Sequence, residues 1–286
     1  MAEVVSLTEA IAELIHDGDA VALEGFTHLI PMAAGHEIIR QGRRDLTLIR
    51  MTPDLIYDQM IGAGCARRLV FSWGGNPGVG SLHRFRDAVE NQWPHALELE
   101  EHTHAGMANR YVAGASRLPF AVVRGYAGSD HIHHGAPNVS TVTCPFTGEV
   151  LTAVAALRPD VAIAHTQRAD RQGNVQLWGI AGIQREALLA AERTLVTVEE
   201  IVDTLEPRPG ASIIPGWVLS YVREVPGEPF RRTRWATTPE TTTTTSSGTR
   251  SHDTETRSCS GSTPTCSTCK GPPDECLSPV PAARGS

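Results

Sequence analysis

Residues 17–31 read DGDAVALEGFTHLIP, and this stretch is the strongest indication of the fold. Residues 20–23 form a short apolar run of the kind that becomes a buried strand. The Asp-Gly pair at residues 17–18 is typical of a turn before the strand, and Gly25 follows shortly after it. Upstream, Ser6 and Glu9 have the spacing of a capping box, which predicts the start of a helix. The order helix, strand, glycine loop is typical of an α/β protein.

The same alternation of apolar runs and amphipathic segments repeats along the chain. Further strands are predicted at residues 46–49, 68–73, 97–100, 120–123, 150–155, 161–164, 175–178 and 194–198. Helices are predicted at residues 85–92, 106–115 and 184–191. Short strands that alternate with helices indicate parallel βαβ units, so we expect an open, mostly parallel, doubly wound sheet. In such sheets ligands bind beyond the carboxyl ends of the strands.

The composition excludes several classes of function. Apolar residues make up 41% and charged residues 20% of the 286 residues, as in ordinary globular proteins. The formal net charge of −7 argues against nucleic acid and anionic membranes as partners, because both attract clustered Lys and Arg. No apolar run is long enough to span a bilayer, and no secretory signal pattern is present. Since Cys65 and Cys144 are the only cysteines before residue 230, we expect a cytoplasmic protein without a disulfide framework there.

The chain changes character near residue 230. We expect residues 1–229 to form the folded domain and residues 230–286 to be a low-complexity tail, rich in Thr, Ser and Pro. The tail is interpreted as disordered or as the product of a shifted reading frame, because Thr codons read one nucleotide earlier encode aromatic and charged residues. A zinc site is a further interpretation, although the cysteine spacing is not that of a zinc ribbon. Its ligands would be Cys259, Cys266, Cys269 and Cys276.

Two glycine-containing loops follow predicted strands and are candidates for a binding site. The first contains Glu24, Gly25, Phe26 and Thr27, and the second spans residues 71–81. The second loop includes Gly74, Gly75 and Asn76. Backbone N–H groups in such loops can approach an anionic or thioester oxygen. For the first loop, a tight turn that needs glycine for its φ angle is the more common explanation, and for the second the alternative is a flexible connection. Neither loop has the spacing of a dinucleotide-binding or P-loop motif, so nicotinamide and ATP sites are not indicated.

Taken together, four segments resemble the A (alpha) subunits of family I coenzyme A-transferases. They are residues 17–31, 113–120, 163–179 and 197–202. The resemblance implies the fold of that family, with the two glycine loops at the substrate pocket. It also implies that the acceptor is a dicarboxylic acid such as 3-oxoadipate or glutaconate. The sequence departs from the family signature at Glu24, where a second Gly is usual, and in a shortened loop at residues 26–31.

The resemblance also implies a division of labour between two chains. Family I transferases use a Glu carboxylate as the nucleophile on the acyl-CoA thioester, and in two-subunit members this Glu lies in the B (beta) subunit. We therefore expect no catalytic nucleophile in this chain, no permanently bound cofactor, and coenzyme A esters as substrates. The binding residues carried over are Glu24, Gly25, Phe26, Thr27, Gly74, Gly75 and Asn76. The expected partner is the CoA-transferase B subunit, in a heterodimer or heterotetramer.

Several polar residues have two interpretations from sequence. Glu24 either lines the pocket or accepts a local hydrogen bond, and the latter is more common. An acidic strand end is usually a solvated face. It comprises Glu98, Glu100 and Glu101. Three arginines near strand ends either clamp a dicarboxylate or are ordinary surface or interface residues. They are Arg50, Arg84 and Arg124.

Histidines suggest a metal site, but their spacing favours a histidine-rich surface loop instead. They are His102, His104, His131, His133 and His134.

A self-contained hydrolase is a second candidate function, because a related hydrolase branch carries Glu directly before a Gly-Met pair. Here Ala105 stands before Gly106 and Met107, which argues against it. A sugar-phosphate-responsive regulator is a third, but no helix-turn-helix pattern precedes Val21.

Overall fold

The computed structural model describes residues 6–26, 28–75, 80–126 and 137–227. The helices are α1 (Leu7–Leu14), α2 (Met32–Arg40), α3 (Leu55–Gly62), α4 (His83–Glu90), α5 (His104–Ala115) and α6 (Gln184–Ala190). The first six strands are β1 (Ala20–Glu24), β2 (Leu46–Arg50), β3 (Ala66–Phe71), β4 (Glu98–Glu101), β5 (Phe120–Val123) and β6 (Val139–Thr143). The others are β7 (Val150–Ala155), β8 (Val161–Asp170), β9 (Val175–Leu177), β10 (Arg193–Val202), β11 (Ser212–Ile214) and β12 (Tyr221–Glu224). None of these described helices is long and apolar enough to cross a membrane.

A large, mostly parallel sheet organises the described part of the chain. Its strands lie in the order β11-β9-β8-β1-β2-β3-β4, and β10 and β12 continue it from β8. The neighbours of β1, which are β2 and β8, both run parallel to it. Only β9 and β11 join this sheet in antiparallel fashion among the described strands. A second, antiparallel sheet has the order β5-β7-β6.

The central strands are buried on both faces because helices cover each side of the sheet. Val21 and Leu23 of β1 pack with residues of α1, α2 and α3 in one core. Ala22, between them, packs on the opposite face with Met107 and Tyr111 of α5 and with residues of α6. Alternate residues of a strand point to opposite faces, so Glu24 shares the α5 face with Ala22.

The sequence-based fold class, an open and mostly parallel sheet with helices on both faces, is confirmed. The predicted capping box is present in α1, where the Ser6 backbone N–H donates to Glu9 Oε2 over 2.9 Å. The strands predicted at 161–164 and 194–198 are longer, since β8 and β10 continue in register as far as the pair Asp170–Val202.

Helices α2 and α3, strands β6, β11 and β12 and the separate antiparallel sheet were not among the sequence-based predictions. Residues 230–286 lie outside the described residues, so the boundary at residue 229 and the interpretations of the tail stay predictions.

Candidate functional site

A cavity of about 290 Å³ opens where the carboxyl ends of β1 and β2 meet the start of α5. Strand β1 and the residues after it contribute Glu24, Gly25 and Phe26, and the segment after β2 contributes Met51 and Thr52. Its other walls are His104 and Ala108 of α5 and residues 180–183, which lie between β9 and α6. This position, beyond the carboxyl ends of parallel strands, is where open α/β sheets bind ligands.

Glu24 is the buried carboxyl group of this cavity. Its side chain is only 2% exposed. The Tyr111 hydroxyl donates a hydrogen bond of 2.8 Å to Glu24 Oε1, and the Met51 backbone N–H donates one of 3.3 Å to the same oxygen. Glu24 is therefore both a pocket residue and a hydrogen-bond acceptor, so the two interpretations from sequence hold together.

Burial raises the pKa of Glu24 to about 7, because water is absent from around the charged form. The charge of Arg50, followed by the hydrogen bonds from Tyr111 and from the Met51 and Gly25 backbones, acts in the opposite direction and does not offset burial. Glu24 can consequently exchange a proton near neutral pH, which an exposed Glu does not do. The buried position of this group makes it a candidate for proton-dependent binding.

Arg50 neither reaches the cavity as a carboxylate clamp nor lies on the surface. It is 1% exposed, and its guanidinium donates to both carboxylate oxygens of Asp54 over 3.1 and 3.2 Å. The same group donates to the Gly25 carbonyl over 2.8 Å. Arg50 thus fixes the backbone that follows β1 and forms its ion pair with Asp54, not with Glu24.

Gly25 is required by the close approach of two backbone segments. A Cβ atom at this position would lie 2.5 Å from the Leu29 carbonyl oxygen and 3.0 Å from Ile30 Cα. The φ angle of Gly25 lies outside the left-handed region. Glycine is therefore not needed here for a positive φ angle, as one interpretation of the sequence held, but for the space that a Cβ atom would occupy. The next residue, Phe26, is 40% exposed and contributes to the cavity wall.

The second glycine loop lies beside the first site, but none of its described residues, 71–75 and 80–81, lines the same cavity. The backbone N–H groups of Ser72 and Trp73 both donate to the Met51 carbonyl, over 3.1 and 3.2 Å. Gly75 N–H donates to the Pro53 carbonyl over 3.1 Å. Gly74 and Gly75 are not among the described residues that form the cavity wall. Thr27 and Asn76, the other two sequence-based candidates, lie outside the described residues.

The prediction that the acidic end of β4 is a solvated face is wrong for Glu100. This residue is 3% exposed and accepts hydrogen bonds from Arg110 over 2.7 Å and from Asn138 over 2.8 Å, while His102 Nε2 lies 2.8 Å from its Oε1. Arg68 forms a further ion pair with it. Burial acts to raise the pKa of Glu100, but His102, Arg110 and Asn138 together lower it to about 2.

Two of the histidines proposed for a surface loop also have defined positions. His102 is 1% exposed and belongs to the Glu100 cluster, so the surface interpretation is wrong for it. His104 is exposed and contributes to the cavity wall. His131, His133 and His134 lie outside the described residues. Within the described ranges, no group of three or more His, Cys, Asp or Glu residues could hold a metal ion.

The remaining candidate arginines form ion pairs away from the cavity. Arg84 Nη1 lies 3.6 Å from Asp58 Oδ2, and Arg124 pairs with Glu149. Neither arginine is part of the cavity wall.

Tyr111 is a site residue that the sequence did not indicate. It contacts Glu24 but lies 87 positions away from it in the chain, and no local motif marks it.

Comparisons with known proteins agree with this geometry. A family model described as Coenzyme A transferase matches residues 4–225. The A subunit of the 3-oxoadipate CoA-transferase from Pseudomonas knackmussii is 65% identical over 227 residues, which are 79% of this chain and 80% of that protein.

Two solved structures are similar at 30% identity. A variant of the decarboxylase AibA/AibB gives a TM-score of 0.73, covering 84% of this chain and 94% of that chain. Glutaconate coenzyme A-transferase from Acidaminococcus fermentans gives a TM-score of 0.69, covering 79% of this chain and 77% of that chain. Sequence, fold and the position of the cavity lead to one conclusion: the chain belongs to the coenzyme A transferase family.

Proposed function

We propose that this chain is the A subunit of a transferase that moves coenzyme A from succinyl-CoA to 3-oxoadipate during the degradation of aromatic compounds. The observation that supports it best is the 65% identity to the corresponding subunit of a 3-oxoadipate CoA-transferase, over most of both chains. The cavity beyond β1 and β2 supports the proposal because it gives a small acyl group a mostly apolar site with a few polar groups.

The chemistry requires a second chain. A Glu carboxylate of the B subunit attacks the thioester carbonyl of succinyl-CoA and expels the CoA thiolate, which leaves an acyl-glutamyl anhydride. The thiolate then attacks the glutamyl carbonyl of the anhydride, releases succinate and gives a glutamyl-CoA thioester. A carboxylate of 3-oxoadipate then attacks the glutamyl carbonyl of this thioester and expels the CoA thiolate, which forms a second anhydride. The thiolate attacks the 3-oxoadipyl carbonyl of that anhydride, which gives 3-oxoadipyl-CoA and the free Glu carboxylate. In this scheme the present chain supplies binding residues only.

The binding residues proposed for this chain remain those of the two glycine loops. Glu24, Gly25 and Phe26 are at the cavity wall, which supports their part of the proposal. Thr27, Gly74, Gly75 and Asn76 complete the set. The partners are the B subunit, the acids and their coenzyme A esters, and no permanently bound cofactor takes part.

The test is a transferase assay with the full chain, its B subunit, succinyl-CoA and 3-oxoadipate. We expect 3-oxoadipyl-CoA only when both chains are present. Formation of a coenzyme A ester from glutaconate, with none from 3-oxoadipate, would replace the acceptor and keep the class of reaction. Hydrolysis of succinyl-CoA at the same rate with and without acceptor would contradict transfer.

A glutaconate-type transferase is the second candidate, because the fold matches that enzyme with a TM-score of 0.69. A ring-cleaving coenzyme A-ester hydrolase is less well supported. Its expected carboxylate position is occupied by Ala105, which is exposed in the first turn of α5 and has no proton to exchange.

A further inference from the structure

The polar groups of the cavity are unusual for a site that receives an acid. Among the described residues of its wall there is one carboxyl group, Glu24, and one imidazole, His104, but no Lys or Arg. The nearby guanidinium of Arg50 forms its ion pair with Asp54 and a hydrogen bond with the Gly25 carbonyl. A substrate carboxylate placed beside Glu24 would therefore be desolvated next to another acid, with no Lys or Arg among the described wall residues to compensate. The charge of Arg50 does not offset even the burial of Glu24 itself.

The hydrogen bonds of Glu24 distinguish its two oxygen atoms. Tyr111 and the Met51 N–H both donate to Oε1, and the Gly25 N–H is a third donor to the carboxyl group. A protonated carboxyl group has one carbonyl oxygen, which accepts two hydrogen bonds, and one hydroxyl, which donates. Oε1 has the surroundings of the carbonyl oxygen, so Oε2 is the position of the hydroxyl.

We propose that Glu24 determines substrate specificity: its protonated carboxyl donates a hydrogen bond from Oε2 to the oxo oxygen of a 3-oxo acyl group bound in the cavity. This inference rests on the proposed function, since it assigns the 3-oxo acid to this particular pocket. An uncharged oxo oxygen is the acceptor that suits the site, because it needs a donor and brings no second negative charge. An acid without the oxo group would leave the buried hydroxyl of Glu24 without an acceptor.

A proton on Glu24 makes the selectivity depend on pH. The titratable and charged groups that face Glu24 come from β2, the segment after it, α3 and α5. They are Arg50, Asp54, Tyr57, His104 and Tyr111. Because burial raises the pKa of Glu24 to about 7, the donor form is lost as the pH rises through this value. Selectivity for the 3-oxo acid is therefore expected to fall on the alkaline side.

The test compares three forms of the complex of the full chain with the B subunit: wild type, Glu24→Gln and Glu24→Leu. Gln keeps a carbonyl oxygen and an N–H donor, whereas Leu keeps the volume alone. The acceptors are 3-oxoadipate and adipate, with adipate measured as substrate or as competitive inhibitor. Glu37→Gln is the control, because Glu37 is a largely buried carboxylate in α2 that is bonded to Arg40 and does not line the cavity.

We expect Glu24→Leu to lower kcat/KM for 3-oxoadipate roughly tenfold or more, the effect of one lost buried hydrogen bond, while the value for adipate changes little. Glu24→Gln should keep most of the activity with 3-oxoadipate. It should also lose the fall of kcat/KM above pH 7 that we expect for wild type and for Glu37→Gln.

If Glu24→Leu lowers kcat/KM equally for both acids, or if the alkaline fall of kcat/KM persists in Glu24→Gln, the specificity role of Glu24 is overturned. The proposed transferase function would stand in either case. If wild type transfers coenzyme A to other acids but not to 3-oxoadipate, the proposed acceptor fails and the inference fails with it. A Glu24→Leu chain that does not fold leaves the pH profile of Glu24→Gln as the deciding result.

Discussion

The hydroxyl of Tyr111 in α5 lies 2.8 Å from Oε1 of Glu24 at the end of β1 and donates a hydrogen bond to it. The contact joins residues 87 positions apart and fixes the carboxyl group at the wall of the cavity. Both side chains are buried, so the geometry is set by the packing of α5 against the sheet and not by a flexible surface contact.

Replacing Tyr111 with Phe should move the titration of Glu24 upward. The Tyr111 hydroxyl stabilises the carboxylate and thereby lowers the pKa of Glu24, whereas burial raises it. Without the hydroxyl, the pKa of Glu24 should therefore rise further. The alkaline limb of the transferase pH profile should shift to higher pH, and unfolding should require about 1 kcal/mol less free energy. Tyr57→Phe is the control, because the Tyr57 hydroxyl donates to the Ile49 carbonyl and is not among the groups that shift the pKa of Glu24. Its loss should lower stability without moving the limb. A downward shift in Tyr111→Phe would contradict this assignment.

Glu24→Gln should stabilise the chain at alkaline pH. The folded-state pKa of about 7 is above the ordinary value of 4.5, so the folded state binds the proton more tightly than the unfolded state does. The resulting stability is fully present below pH 4.5 and is lost as the pH rises through 7. Above pH 8 the neutral amide avoids a penalty on the order of 3 kcal/mol. Urea unfolding from pH 5 to pH 9 measures the effect, and a variant less stable than wild type at pH 9 would count against it.

Gly25→Ala should disturb the loop at the cavity. Its Cβ would meet the Leu29 carbonyl oxygen at 2.5 Å, and one of the two backbone segments must move. We expect a loss of roughly 1–3 kcal/mol in the free energy of unfolding, as for overpacking, together with a raised KM for 3-oxoadipate. Gly125→Ala is the matched control, because a Cβ there has no neighbour within 4 Å. Equal behaviour of the two variants would show that the contact at Gly25 has no effect.

Asp58 of α3 should stabilise the fold by capping the N-terminus of a different helix, α4. Helix α4 has no side-chain cap of its own at Leu82, and Asp58 Oδ1 instead accepts hydrogen bonds from the Arg84 and Phe85 N–H groups over 2.8 and 2.9 Å. Asp58→Ala should therefore cost about 2 kcal/mol of stability, and Asp58→Asn less, because the amide oxygen still accepts. Chemical denaturation of both variants measures the difference, and equal losses would exclude the capping role.

The alternation of apolar runs was sufficient to predict β1, β2 and β3, because their side chains are buried on both faces of a parallel sheet. Helix α3 was missed because it is apolar on most of its surface and lacks the polar stripe that reveals a surface helix. Strand β6 has the sequence VSTVT, which contains no apolar run, and it was missed for that reason. It is a strand because it pairs with β7.

The candidate site could be predicted only in part, for a similar reason. Gly25 and Phe26 follow a recognisable strand, so their position at the carboxyl end of β1 was available from sequence. The burial of Glu24 could not be predicted from sequence, because it depends on Tyr111 and on residues 180–183, which are distant from it in the chain. Glu100 was misjudged in the same way, since Arg110 and Asn138 approach it only in the fold.

The measurement that tests the central claim most directly is intact-protein mass spectrometry of the two-chain complex after incubation with succinyl-CoA. We expect the B subunit to gain the mass of one coenzyme A thioester and this chain to gain none, and we expect added 3-oxoadipate to remove the adduct. An adduct on this chain, or a complex that turns over succinyl-CoA while neither chain ever carries one, would contradict the proposed division of labour.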